Sequence, residues 1–205
     1  MIHSPTDVQK EVREIVGLLM QRPITEAIAM RVEQIEGFEH LEVESGEWVG
    51  LEDDEYRGGE EHGRIEFRLL LRLGSFIEQH RLGMLYPGDT NFVLEGEASS
   101  IQTKRRPDIA FVAADRLKKT RGYIYGAPDL AIEIISPSER PHDIRGKLSE
   151  YLSFGVRQVW QVYPESREII VHLPDDTSRT YRAGDTLTGS DVLPRFEMVV
   201  GEVFE

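Results

Sequence analysis

Apolar side chains recur at helical spacing in two separate stretches of the chain. Within each stretch they lie three or four residues apart, which places them on one face of an α-helix. The first stretch, residues 61–80, carries Ile65, Leu69, Leu70, Leu73 and Ile77, and the second, residues 142–154, carries Ile144, Leu148, Tyr151 and Leu152. Gly155 favours a helix end at that point. The residues from Val8 to Leu19 and from Ile24 to Ile35 predict two further helices near the N-terminus.

Apolar runs of other kinds predict β-strands in the rest of the chain. Residues 38–51 form two alternating runs about Ser45-Gly46, which is typical of a hairpin. Further strands are predicted over 91–96, 106–113, 129–136, 156–164 and 167–175, and in the tail segments 179–187 and 193–204. This order of elements indicates an α/β fold with a mixed β-sheet core flanked by helices. We expect a single domain over residues 1–205, with 1–35 as an N-terminal helical extension and 36–205 as the core.

One acidic residue interrupts the most apolar of these strands. In "PDLAIEIISPS" Glu133 lies among leucine, alanine and isoleucine, and burying a carboxylate costs several kcal/mol. If strands 106–113 and 129–136 pair antiparallel, Asp108 falls opposite residues 133–134, with Cβ atoms about 4.5–5.5 Å apart. Two carboxylates at this separation repel each other, and a divalent cation bound between them removes the repulsion. Mg²⁺ binds carboxylate oxygens and keeps waters for a substrate phosphate, so the pair predicts a metal site.

A structural interpretation of the same acids stays open. Asp108 could cap a loop at the start of its strand, and Glu133 could pair with a buried arginine. Asp129 forms a second proline-aspartate pair, but it lies four residues from Glu133, roughly 13 Å along a strand. One ion cannot bridge that gap, so Asp129 is expected to begin the strand rather than to bind the metal.

Two further polar residues lie on predicted helix faces. Lys147 is three residues after Ile144 and four before Tyr151, which turns it toward the sheet. Its ammonium could hold a water or a phosphate oxygen at the metal site, or it could extend from the helix flank to solvent. Glu66 shares a helical stripe with His62 and Leu70, and it could face either the core or the solvent.

Composition limits the classes of function. The chain has no cysteine, which excludes disulfides, thiolate metal sites and a cysteine nucleophile. No apolar run approaches the about 20 residues that span a bilayer, and the N-terminus lacks a secretory pattern, so we expect a cytoplasmic protein with no membrane partner. The formal charge of −13 argues against coating nucleic acid with the whole surface. A local basic strip flanks the Asp108 strand, and we expect it to contact phosphates: Lys104, Arg105, Arg106, Lys118 and Lys119.

The acidic motifs resemble those of a known group of enzymes. Asp108 in "RPDIAFV" and Glu133 in "PDLAIEIISPS", followed by Lys147 in "KLSEYLSFGVRQVWQVYP", are similar to the PD-(D/E)xK nuclease superfamily and, within it, to the Uma-two family of restriction-endonuclease-like proteins. The resemblance implies a restriction-endonuclease-like core in which Asp108 and Glu133 bind Mg²⁺ or Mn²⁺. It implies that Lys147 replaces the lysine expected two residues after Glu133, where this chain has Ile135, and that Glu66 is the helix acid of the superfamily.

The function expected on this basis is metal-dependent hydrolysis of phosphodiester bonds in nucleic acid, DNA in the first place. A homodimer is compatible with it, because one active site cuts one strand and paired sites cut two. Two alternatives come from other classes. A nuclease fold without catalysis, acting as a binding or regulatory module, is favoured by Ile135 and by the acidity of the chain. A glycoside hydrolase using the two acids as an acid–base pair is disfavoured, since Trp48 and Trp160 are the only tryptophans and no aromatic sugar platform is evident.

Overall fold

The structure is a computed structural model that describes residues 13–35, 38, 41–50 and 59–205. Its helices are α1 (13–19), α2 (Glu26–Val32), α3 (Glu60–His80) and α4 (Pro141–Ser153). Its strands are β1 (Glu42–Glu44), β2 (Glu47–Val49), β3 (Gly83–Pro87), β4 (Phe92–Glu97), β5 (Ser100–Arg105), β6 (Ile109–Ala113), β7 (Ile124–Tyr125), β8 (Leu130–Ile134), β9 (Gln158–Tyr163), β10 (Glu168–His172), β11 (Ser178–Arg182), β12 (Thr186–Thr188) and β13 (Glu197–Val199).

The chain folds into two compact units. The first comprises Met1–Asp54 and Val93–Arg105, and the second comprises Glu55–Phe92 and Arg106–Glu205. The single nuclease-like domain expected from the sequence stays a prediction. Within the described residues, no helix combines the length and the apolar character that crossing a bilayer requires.

The first unit contains the predicted hairpin and a buried ionic cluster. Strands β1 and β2 pair antiparallel with Glu44 opposite Glu47, and Ser45 and Gly46 both have positive φ, as a two-residue hairpin turn requires. Helix α2 is shorter than the predicted 24–35, and the side chain of Thr25 caps its N-terminus. The part of the predicted first helix before residue 13 lies outside the described residues.

The second unit is built on a six-stranded mixed sheet in the order β11-β10-β9-β8-β6-β3. Strands β8 and β9 are parallel and α4 lies between them in the chain, as a parallel crossover requires. The other neighbours run antiparallel. Four apolar side chains of α3 pack into the core of this unit: Ile65, Leu69, Leu73 and Ile77. The predicted α/β fold with a mixed sheet and flanking helices is confirmed.

Two of the longer strands were not predicted. Strand β3 follows directly on α3 and forms an edge of the six-stranded sheet, and its residues alternate only weakly between half-buried and exposed. Strand β5 has the sequence SIQTKR, in which polar residues predominate, and it ends in Lys104 and Arg105. The predicted strand over 106–113 is confirmed only from Ile109 onward.

Candidate active site

The register of two antiparallel strands brings Asp108 and Glu133 together. In the β6–β8 pair Ile109 lies opposite Ile132 and Ala110 opposite Ala131. One step beyond, the same register sets Asp108 opposite Glu133. The antiparallel pairing predicted from the sequence is therefore confirmed, and the two acids line one cavity.

This cavity is small and polar. Its volume is about 20 Å³, enough for about one water-sized occupant. It is lined by His62, Arg106, Asp108, Glu133, Ile134, Ser136, Glu139 and Lys147. The predicted set of Asp108, Glu133 and Lys147 thus converges on a single ion-sized space, while the roles of these residues as ligands and catalysts stay predictions.

The carboxylate of Asp108 is oriented by the neighbouring strand and by α3. Its Oδ2 accepts a hydrogen bond from the backbone N–H of Ile134 at 2.6 Å. On the other side, Nε2 of His62 lies 3.5 Å from Oδ1. The hydrogen-bonding contact with Asp108 raises the pKa of His62 against the opposing effect of burial. Both contacts fix the orientation of the acid at the cavity wall.

Helix α4 positions the other side of the cavity. Glu133 is 9% exposed, and the hydroxyl of Tyr151 donates a hydrogen bond to its Oε1 at 2.6 Å. One helical turn earlier, Lys147 reaches the same cavity with a side chain that is 15% exposed, and its Nζ lies 3.9 Å from Oε1 of Glu139. Of the two positions that the sequence left open for Lys147, the structure shows the inward one.

Glu66 lies beside the cavity, one helical turn after His62. It is half-buried, and the backbone N–H of Gly88 donates to its Oε1 at 3.4 Å. Burial raises the pKa of Glu66, the hydrogen bond from Gly88 opposes that shift, and the charge of Asp108 adds to it. The negative charge of Asp108 therefore acts on the pKa of Glu66, although Glu66 is not part of the cavity wall.

Asp129 has a different environment, which agrees with its predicted place at the start of the strand. It is 1% exposed, and its Oδ2 accepts a hydrogen bond from the backbone N–H of Ala113 at 2.8 Å. Its Oδ1 lies 2.8 Å from Arg116 Nη1 and 3.6 Å from Arg157 Nη1. Asp129 is thus held by two arginines and by the backbone at the start of β8.

The predicted basic strip divides into buried and accessible residues. Lys104 is fully buried and paired with Glu33, and Arg105 is 3% exposed, with Nη1 3.5 Å from Glu42 and Nη2 3.1 Å from Glu44. The expectation that Lys104 and Arg105 contact phosphates is wrong, because both cations are enclosed with carboxylates of the same unit. Burial lowers the pKa of Lys104, and the charge of Glu33 opposes this shift.

The other three basic residues remain accessible. Arg106 is half-buried and lines the cavity, and Lys118 and Lys119 are exposed in the loop after β6. The prediction that these three contact nucleic acid is compatible with their positions and stays a prediction.

Two titratable residues at the cavity were not among the predicted site residues. His62 precedes Glu66 by four residues on the same stripe of α3, and this spacing was the available signal. Glu139 lies in the turn before α4, where its Oε2 accepts from the backbone N–H of Ser136 at 2.8 Å. Nothing in the periodicity of the chain indicates that Glu139 folds back to Lys147.

The donor set at the cavity fits a hard divalent cation. Mg²⁺ is typically bound through one or two carboxylates, with waters and substrate phosphate completing its shell. Asp108 and Glu133 supply two carboxylates to a space of about 20 Å³. No group of three or more His, Asp or Glu side chains within residues 13–35, 38, 41–50 and 59–205 is arranged to hold a metal ion. A site formed here would therefore rest on the two-carboxylate pattern.

Comparisons with known proteins identify the family and the fold of the chain. The Uma2 family, described as "Putative restriction endonuclease", matches residues 51–201, and the chain belongs to that family. A crystal structure from Anabaena variabilis ATCC 29413, described as "a putative nuclease belonging to DUF820", superposes with a TM-score of 0.71 at 16% sequence identity, covering 89% of this chain and 98% of that one. At that identity the likeness shows the fold. No curated protein matches the chain.

Proposed function

We propose that the chain is a divalent-cation-dependent endonuclease that hydrolyses phosphodiester bonds in nucleic acid, with DNA as the proposed substrate. The observation that carries the proposal is the convergence of Asp108, Glu133 and Lys147 on one ion-sized polar cavity. Membership of the Uma2 family supports the nuclease class.

Metal binding and the orientation of the metal ligands would fall to different residues in this reaction. Asp108 and Glu133 would hold Mg²⁺ or Mn²⁺, which supplies a Lewis acid that activates water and neutralises charge on the phosphate. The N–H of Ile134 and the hydroxyl of Tyr151 keep the two carboxylates oriented, so that little reorganisation is needed when substrate binds.

Lys147 and Arg106 supply positive charge to the same cavity. We assign to Lys147 the orientation of the attacking water, or of a non-bridging phosphate oxygen, at the edge of the site. Arg106 would bind the phosphate itself, for which a guanidinium is well suited. Lys118 and Lys119 would contact phosphates of the same nucleic-acid strand at a greater distance from the cleaved bond.

The direct test is cleavage of supercoiled plasmid and labelled oligonucleotides in Mg²⁺ or Mn²⁺, with a chelator as the metal-free control. Glu133→Gln should abolish cleavage while its amide oxygen keeps an acceptor for Tyr151, and Lys147→Met should reduce the rate by about 10²–10³-fold. Glu78→Gln is the matched control, because Glu78 is an exposed acid on α3. Equal rates for Glu133→Gln and the unchanged protein would refute the proposal.

A second candidate is a nuclease-fold module that binds nucleic acid without cutting it. The observation in its favour is Ile135, a buried apolar residue at the position where the superfamily has its lysine. Metal-dependent binding without cleavage, under conditions in which Lys147→Met changes nothing, would support this candidate over the enzyme.

A further inference from the structure

A large cavity adjoins the small polar one in the second unit. Its volume is about 590 Å³, within the range of about 300–1,000 Å³ that is typical of small-molecule sites. His62, Ile134 and Ser136 line both cavities. A group held in the large cavity would therefore be a direct neighbour of a phosphate bound at the mouth of the small one.

The walls of the large cavity suit a flat heteroaromatic ring better than a phosphate. Ile134 and Ile135 form a buried apolar part of the lining, and Pro137 and Pro164 add further apolar surface. The imidazole of His62 supplies an aromatic ring. Apolar and aromatic faces of this kind stack on nucleobases with little regard to sequence.

Two carboxylates among the described lining residues disfavour a phosphate in this cavity. Glu60 and Glu61 both line it and are exposed, so they repel phosphates. The same carboxylates accept hydrogen bonds from N–H groups on the edge of a base. Guanine offers two adjacent donors on its Watson–Crick edge, whereas thymine offers one between two carbonyl oxygens.

We infer that this cavity is a subsite for one unpaired nucleobase next to the scissile phosphate, and that it prefers guanine to thymine. A base inside a duplex is stacked and cannot enter a concave pocket, so the substrate class is nucleic acid with a single-stranded, bulged or flipped nucleotide. The inference rests on the proposed function, because it takes the small cavity as the metal site beside which the scissile phosphate binds.

The test measures binding in a chelator, where no cleavage occurs. Short fluorescein-labelled DNA duplexes carry one bulged nucleotide, either dG, dT or an abasic residue, and affinity is read from fluorescence anisotropy. The dG bulge should bind about 10-fold more tightly than the abasic one, as expected for one stacked base, and the dT bulge should lie between them. Equal affinity for all three probes would overturn the inference.

Two variants locate the effect. Ser138 is exposed and lines the large cavity, so Ser138→Trp should obstruct the cavity and reduce the discrimination while leaving abasic binding intact. Ser178→Trp, at an exposed position of β11, is the matched control and should keep it. The double change Glu60→Gln and Glu61→Gln should reduce the preference for dG over dT. Discrimination that is the same in Ser138→Trp as in the unchanged protein would place the base elsewhere and refute the subsite.

The outcomes separate this inference from the proposed function. Base discrimination in a protein that cuts nothing in Mg²⁺ or Mn²⁺ would refute the endonuclease and retain the subsite. Cleavage of plasmid without discrimination among the three bulges would retain the endonuclease and refute the subsite.

Discussion

Substitution of Asp129 tests whether the second proline-aspartate pair is structural. The acid is 1% exposed and accepts a hydrogen bond from Ala113 N–H at 2.8 Å. Asp129→Ala leaves that N–H without its acceptor, which costs about 1–3 kcal/mol. The side chains of Arg116 and Arg157 are 42% and 44% exposed, so water can solvate both guanidinium groups once the carboxylate is gone. Breaking these two ion pairs therefore costs less than the about 3–5 kcal/mol of a fully buried pair.

The expected loss for Asp129→Ala is therefore about 3 kcal/mol in the free energy of unfolding. Asp129→Asn keeps a carbonyl oxygen for Ala113 N–H, but it loses the charge and turns an amide NH2 donor toward the two arginines, so we expect a loss of about 1–3 kcal/mol. Urea unfolding with linear extrapolation measures both values.

Activity provides the refuting result. Asp129→Asn should keep metal-dependent cleavage at temperatures where it is folded, whereas Asp108→Asn should lose it. If Asp129→Asn abolished cleavage without changing stability, the metal would have been assigned to the wrong acid. An unchanged free energy of unfolding for Asp129→Ala would show that the contacts with Ala113 and the arginines contribute nothing.

Three further predictions concern the Tyr151 hydrogen bond, the buried Lys104 and the half-buried His172. Tyr151→Phe removes the hydrogen bond to the Glu133 carboxylate and should lower the free energy of unfolding by about 1.5–3 kcal/mol, measured by urea unfolding. Lys104→Met breaks a buried ion pair with Glu33 and should lower the free energy of unfolding by about 3–5 kcal/mol. It should not change the slope of log affinity for DNA against log salt concentration, whereas removing Lys118 and Lys119 together should reduce that slope by about 2. Burial lowers the pKa of His172, so below about pH 6.5 the unfolded chain binds the extra proton first and stability falls with decreasing pH; His172→Gln should flatten that fall in unfolding curves recorded across the range.

The sequence predicted the register of β6 and β8 better than it predicted strand β5. Glu133 stands out because a carboxylate in an apolar run is costly, and the register that sets it opposite Asp108 follows from counting across the loop. Strand β5 escapes prediction because its burial depends on ion pairs. Lys104 is buried with Glu33, a residue that is distant in sequence, and no periodicity reveals such a partner.

The direction of a side chain was the second feature that the sequence alone did not determine. The helical position of Lys147 allowed either an inward or an outward side chain, and only the packing of α4 decides between them. Glu139 was missed for a similar reason, because it lies in a turn and reaches the cavity through the local fold of Ser136. Residues on regular elements are thus easier to place from sequence than residues in turns.

The link between Asp129 and Ala113 also separates the positions of Asp108 and Glu133 from the loop that joins their two strands. The backbone N–H of Asp129 donates to Phe111 O at 2.8 Å, and its carboxylate accepts from Ala113, so the base of loop 114–128 is closed where β6 ends and β8 is about to begin. Doubling the length of a flexible loop costs only about 0.6 kcal/mol. Insertions near the exposed Lys118 and Lys119 should therefore be tolerated, which makes this loop a natural place to graft or diversify nucleic-acid specificity while the acids stay in register.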